Sequence, residues 1–154
     1  MKKREVKGFG SGTVIFREGD KADCMYKVAY GLVDIYINYK TAGQKLLTTV
    51  QEDEFFGEMA LIDDTARSAT AVSRSADTKL LVYPKEELDV MLREETPVFM
   101  DLLTQMTSNL IHLTDKYADV CRTIAEYRRC EEEGNAIGSS LQESIDKYAG
   151  MAND

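Results

Sequence analysis

The feature that most constrains this chain is a change of hydrophobic period near residue 85. Before it, short β-branched and aromatic runs alternate with turn residues; after it, apolar residues recur every three or four positions. A period of two belongs to strands and a period of 3.6 to helices, so the first half reads as β and the second as α. Predicted strands cover residues 13–16, 25–29, 33–38, 45–50, 70–73 and 80–83. In the third, Val33, Ile35 and Ile37 alternate with Asp34, Tyr36 and Asn38, which gives one apolar face. Glu18-Gly19-Asp20, Gly31 and Thr41-Ala42-Gly43 supply turns. Short antiparallel strands at this spacing predict a sandwich or barrel rather than a parallel sheet.

Pro84 closes the β region and residues 85–92 read as a short helix. Thr96 is the expected N-cap of a second helix, with Pro97 at its first position. That helix should run to about Glu132, carrying Phe99, Leu103, Met106, Leu110, Leu113, Tyr117, Val120, Ile124 and Tyr127 at alternating spacings of four and three. Such a heptad seam asks for a partner helix, and a parallel homodimer is the expectation. Few charges flank the seam, so two-fold symmetry would set its orientation. A weaker second face holds Ile111, Ala118, Cys121 and Ala125. Gly134 should break the helix; Ser140 and Glu143 form a capping box for a last one, with Leu141, Ile145 and Tyr148 on one face and Gly150 as its stop. The expected domains are a β-roll over 1–94, a dimerisation helix over 95–132 and a helical tail over 133–154.

Size and charge narrow the function classes. With 154 residues the chain fits one domain plus an extension, long enough to bury a core. Its net charge is −8, from 27 acidic and 19 basic residues, whereas a duplex-binding domain needs a basic face. The one basic cluster, Lys2, Lys3 and Arg4, reads as a solvated start. The 22 residues 133–154 are not basic and are too few for a winged helix, so this chain is not expected to bind DNA. Cys24, Cys121 and Cys130 are odd in number and lack metal-ligand spacing, which predicts neither a disulfide framework nor a zinc site. With no secretory stretch and no apolar run long enough for a bilayer, a cytoplasmic protein free of the membrane is expected. A metal-dependent cupin barrel usually needs clustered histidines, and the single His112 reads as solvated on the polar side of the long helix. With no nucleophile–base pair and no second glycine-rich phosphate loop, no enzyme and no cofactor are expected.

The stretch that carries chemistry is residues 55–72, FFGEMALIDDTARSATAV. Gly57 lets the backbone approach a ligand closely. Residues 58–61 make one helical turn whose first amides favour an anion. The acidic loop Asp63-Asp64-Thr65 leads to Arg67, expected to start a strand and turn its guanidinium to the same cavity. Helix-start amides with one arginine make a phosphate site, and Glu58 beside them suits a ribose hydroxyl. Taken alone, these residues fit a plainer reading better: Glu58 as a residue favoured at a helix N-terminus, Arg67 as a surface charge paired with Asp63 or Asp64.

The full string shifts that balance. Phe56, Gly57, Glu58, Met59, Ala60 and Leu61, followed after a short loop by Arg67, Ser68 and Ala69, resemble the phosphate-binding cassette of the cyclic nucleotide-binding domain. That domain occurs in catabolite activator proteins, cAMP-dependent kinase regulatory subunits and gated ion channels. The resemblance covers about residues 6–92, extends into the long helix, and implies an antiparallel β jelly-roll sandwich, a double-stranded β-helix, followed by a long dimerisation helix. It implies that Arg67 pairs with the cyclic phosphate and Glu58 accepts from the ribose 2′-hydroxyl. Backbone amides near Glu58, Met59 and Ala60 would help hold phosphate and sugar, with Ser68 as a further donor. Leu47 would lie on a strand flanking the base. Thr114, beside the seam, is equally a contact to the base and a solvated helix threonine. Threonine after the arginine often accompanies cGMP and alanine cAMP; Ser68 lies between, as in bacterial cAMP receptors, so cAMP is the expected ligand and cGMP the second choice. One departure is Asp53, where the family usually has glycine, and it could reshape that turn. The alternatives are the ligand-binding part or a descendant of a cAMP-receptor-type transcription regulator, and a dimeric interaction module with a vestigial pocket, against which the intact Glu58 and Arg67 argue. The downstream protein partner is not legible.

Overall fold

The computed structural model describes residues 4–134 and 137–153. Lys2 and Lys3 of the basic cluster lie outside them. The chain divides into two compact units, the first ending at Gln105 and the second beginning at Met106.

The first unit is built from eight strands: β1 (Val6–Phe9), β2 (Val14–Phe16), β3 (Cys24–Tyr30), β4 (Val33–Ile37), β5 (Lys45–Val50), β6 (Phe55–Phe56), β7 (Thr70–Ser73) and β8 (Thr78–Pro84). They form two antiparallel four-stranded sheets, ordered β1-β8-β3-β6 and β2-β7-β4-β5. This is the expected jelly-roll sandwich. Strand alternation puts Cys24, Tyr26 and Val28 of β3, Val33 of β4, Ala71 of β7 and Leu80 and Val82 of β8 into one core, with Phe9, Ile15, Phe16 and Ile35 packed against it. Each large side chain buried there stabilises the fold by about 1.5–3 kcal/mol.

Two strands escaped the sequence reading. β1 carries Lys7 and Gly8 and lacks alternation, while β6 is two residues long. The polar face expected of the third strand is also less open than its pattern suggests. Asp34 is buried, accepting from the hydroxyls of Thr49 at 2.7 Å and Tyr36 at 3.2 Å, with Arg74 at 3.5 Å. A charge so placed is tolerated because it is fully partnered.

A five-residue helix, α1 (Glu58–Ile62), joins β6 to the loop before β7. After β8 a 3-10 turn over Lys85–Glu87 leads into α2 (Leu88–Glu94) and then α3 (Thr96–Glu133). Thr96 is the first helical residue rather than the cap: Glu95 precedes it, and its carbonyl accepts from Phe99 at 3.2 Å. Arg4 is the larger correction. Its guanidinium is not solvated but donates to Glu95 at 2.6 Å, lies 3.6 Å from Glu87, and sits 3.9 Å over the Tyr83 ring. A charge at the start of a chain looks exposed in sequence; here the fold brings two carboxylates and an aromatic face to it.

The second unit holds the rest of α3 and α4 (Ser139–Asn153). Gly134 ends α3 in the left-handed region, at φ +64°. The expected capping box is displaced: α4 starts at Ser139, and Gly138 supplies the carbonyl that accepts from the Gln142 amide at 3.0 Å. Leu141 is buried, Ile145 and Tyr148 are partly buried, and the Tyr148 hydroxyl donates to the Asp119 carboxylate of α3. That bond, with Lys147 and Arg122 nearby, holds the Asp119 carboxyl below its ordinary range. Gly150 does not stop α4, which continues to Asn153. A glycine between good helix formers costs only about 1 kcal/mol and need not end a helix. No helix among the described residues is long and apolar enough to cross a membrane.

Candidate functional site

The turn at Glu18-Gly19-Asp20 does more than reverse the chain. Gly19, at φ +86°, donates its amide to the Arg67 carbonyl at 2.8 Å, and the Arg67 amide donates to the Asp20 carbonyl at 2.8 Å. Lys21 forms a β-bridge with Ala66. The turn is itself closed by the Asp20 carboxylate, which accepts from the Arg17 amide at 2.8 Å. Arg67 therefore does not start a strand, as its position suggested; it precedes β7 and is fixed by this turn.

With its main chain pinned, the Arg67 side chain runs inward and is only 4% exposed. Its Nη1 donates to the Gly57 carbonyl at 2.7 Å and its Nη2 to the Cys24 carbonyl at 2.6 Å. The guanidinium lies 4.2 Å from the Phe16 ring centroid, and Phe16 stacks with Tyr26 and Phe56 at centroid separations of 6.2 and 5.9 Å. Its buried Nε has no hydrogen-bond partner among the described residues. The surface ion pair with Asp63 or Asp64 does not form: Asp64 is bound by Lys85, which holds its carboxyl below the ordinary range.

Gly57 lies at φ +76°, in the left-handed region, as the residue preceding α1, and no side chain caps the helix there. Added bulk has no room: a β-carbon would stand 2.7 Å from Arg67 Nη1 and 3.2 Å from the Phe16 ring. Glu58 opens α1 half-buried. Burial pushes its carboxyl above the ordinary value, while its own backbone amide and the Arg67 guanidinium pull it part of the way back. Met59 is exposed; Ala60 is buried, its carbonyl accepting from the Thr65 amide at 3.1 Å. Ser68 is exposed beside Arg67.

Gly57, Glu58 and Arg67 are therefore brought together, with Met59, Ala60 and Ser68 beside them in the chain. Leu47 is a more distinctive position than its sequence shows. Ile35 pairs with Thr48 and Tyr36 with Leu46, so Leu47 is the extra residue of a bulge in β5, and it is half exposed. Thr114 belongs to the second unit, where its hydroxyl donates to the Leu110 carbonyl at 2.9 Å. Asp53 stands at φ +68°, in the left-handed region that glycine adopts most readily. Its carboxylate lies 3.4 Å from Lys27.

Sequence reasoning missed Phe16 and the Cys24 carbonyl, which complete the arginine's surroundings; a carbonyl carries no side-chain signature. It also left out Gln105, whose side chain binds the backbone of Phe55.

A buried guanidinium beside an uncapped helix start can hold a phosphate. Its present acceptors are neutral carbonyls, and an anionic oxygen makes a stronger hydrogen bond. A separate open groove of about 600 Å³, lined by residues including Tyr30, Gly31, Glu52 and Asp77, offers carboxylates as its charges and has the wrong sign for that ligand. No group of side chains among the described residues suits a metal ion.

The chain is similar to known proteins in sequence and in fold. The chain is 35% identical over 83 residues to human cGMP-dependent protein kinase 2, covering 53% of this chain and 11% of the kinase. It is 34% identical over 85 residues to the cyclic AMP receptor protein of Thermus thermophilus, covering 55% of this chain and 39% of the receptor. The chain thus spans well under half the length of these curated relatives. The crystal structure of the Thermus thermophilus catabolite activator protein superposes with a TM-score of 0.65 at 28% identity, over 78% of this chain and 55% of that one. Residues 6–95, more than half of the chain, match the cyclic nucleotide-binding domain, and the chain belongs to that family.

Proposed function

We propose that this chain is a cyclic nucleotide sensor that binds cAMP through Arg67 and Glu58 and acts as a regulatory module in signalling. The observation that carries the reading is the position of Arg67. It is buried, fixed by a dedicated turn, and set against Gly57 and Glu58 at the head of α1. In the ligand complex the cyclic phosphate takes the guanidinium from the Gly57 and Cys24 carbonyls, and the Glu58 carboxylate accepts from the ribose 2′-hydroxyl. Residues 58–60 and Ser68 add donors, and Leu47 at its bulge flanks the base. Ser68, where threonine would favour cGMP, supports cAMP; the relatives include one named for each nucleotide. The three cysteines are free thiols, which fits a reducing cytoplasm.

Calorimetry with cAMP and cGMP on wild type and Arg67→Ala tests this reading. A charge-assisted contact worth roughly 1.5–3 kcal/mol predicts about ten- to a hundredfold weaker cAMP binding in the variant. Equal affinities would remove Arg67 from the site.

The same reading gives α3 the role of a dimerisation helix. Along its seam Leu110, Leu113 and Tyr117 are 63%, 64% and 71% exposed, a surface suited to a second copy of the chain. Sedimentation should find a wild-type dimer at micromolar concentration and a monomer for the Leu110→Glu, Leu113→Glu variant. A wild-type monomer, or a double variant that still dimerises, refutes the dimer.

A further inference from the structure

β6 is one of the two edge strands of the first sheet, and among the described residues it pairs with β3 alone. The pairing alternates as in any antiparallel ladder. On one side of Phe55, Val28 and the backbone of Asp53 and Glu54 exchange hydrogen bonds at 2.9 Å. On the other side, Phe56 pairs with Tyr26. The amide and carbonyl of Phe55 therefore face away from β3, at an edge where no further strand among the described residues meets them. An unpaired donor and acceptor beside a buried phenylalanine are costly.

One side chain satisfies both. Gln105 of α3 accepts from the Phe55 amide through Oε1 at 2.7 Å and donates from Nε2 to the Phe55 carbonyl at 2.7 Å. A carboxamide is the side-chain group that can present this pair, because it places one acceptor and one donor side by side like a peptide bond. It acts as a one-residue strand at the edge. Asp101, one helical turn earlier, lies 3.7 Å from Lys27 on β3, and the Lys27 ammonium sits 5.2 Å from the Phe55 ring centroid. Leu102 between them is buried. The start of α3 is thus bound to the chain two residues before Gly57, whose carbonyl holds Arg67.

We propose that Gln105 is a positioning residue for the phosphate site: its carboxamide ties the start of α3 to residues 55–57 and so couples the placement of Arg67 to the placement of those first helical turns. The ligand-binding part of this inference rests on the cyclic nucleotide reading above; the coupling itself does not. When a phosphate draws Arg67 from the Gly57 carbonyl, residues 55–57 shift, and the paired hydrogen bonds pass that shift to the start of α3. When Gln105 lets go, the Gly57 carbonyl loses its support.

A double-mutant cycle without ligand decides the coupling. Unfolding constants are measured in urea for wild type, Gln105→Leu, Arg67→Ala and the double variant. Coupling predicts that the double variant departs from the product of the single effects by roughly threefold or more. Agreement with that product within about twofold overturns the proposal, because a merely structural glutamine acts independently of Arg67. Hydrogen exchange supplies a second measure: the Phe55 amide should exchange about tenfold faster in Gln105→Leu, and unchanged exchange also refutes the role. Gln105→Glu, which still accepts from Phe55 but no longer donates, replaces the leucine in the cycle if that variant fails to fold. With ligand present, cAMP affinity should fall about tenfold in Gln105→Leu. A wild-type chain that binds neither cAMP nor cGMP refutes the nucleotide reading alone, since the ligand-free cycle still decides Gln105.

Discussion

Replacing Gly57 with alanine tests the geometry around Arg67 at one atom. Two costs add. The residue stands at φ +76° and ψ 11°, and a side chain in that left-handed region costs about 1–2 kcal/mol. The new β-carbon would also lie 2.7 Å from Arg67 Nη1, the atom that donates to the Gly57 carbonyl. An exposed arginine would swing aside at little cost. This one is 4% exposed, rests on Phe16, and is tethered through Nη2 to the Cys24 carbonyl at 2.6 Å. Yielding to the methyl therefore breaks the Gly57 bond, a loss of about 1.5–3 kcal/mol for a charged donor. Together Gly57→Ala should destabilise the chain by about 2.5–5 kcal/mol. For a chain of this size that lowers Tm by roughly 5–20 °C. Urea titration followed by circular dichroism, with a thermal scan beside it, measures both. A variant within about 0.5 kcal/mol of wild type, the range of an ordinary surface change, would show that Arg67 is not held as described.

Two further outcomes follow from the same structure. Arg4→Met should destabilise by about 2–4 kcal/mol in urea at neutral pH, from one charge-assisted bond to Glu95 and the stacking on Tyr83; a solvated terminal charge would change stability very little. Glu58 holds its proton to higher pH in the folded chain than in the unfolded one, so its contribution is greatest below the ordinary carboxyl value and is lost as pH rises through the folded value. Glu58→Gln should therefore gain stability relative to wild type between pH 4 and pH 7, and a difference constant across that range contradicts the assigned cause.

Much of the β-roll was legible because strand formation reports locally. The runs at β3, β5 and β7 announce themselves through β-branched and aromatic residues, with boundaries shifted by a residue or two at most. β6 was not legible: two phenylalanines before a glycine carry no period, and they form a strand only because Tyr26 and Lys27 lie alongside. The cassette was legible as a string, yet what fixes its arginine was not. The expectation of a strand starting at Arg67 failed because the Gly19–Asp20 main chain, distant in sequence, binds its amide and carbonyl first.

The sequence by itself determined the hydrophobic period, hence sheet then helix, and the residue types that can hold a phosphate and a sugar. It determined the left-handed turn at Gly19 and the stop at Gly134, because backbone permissiveness is a property of the residue. Tertiary structure decided partners. Arg67 finds the Cys24 carbonyl, Arg4 finds Glu95, and Gln105 finds both backbone groups of Phe55, across 43, 91 and 50 positions of chain. Main-chain acceptors are the same at every residue, so no pattern of side chains reveals which one an arginine or glutamine will meet. Only the register of two sheets and the path of a helix bring those atoms to within a hydrogen bond, and burial then makes the pairing obligatory.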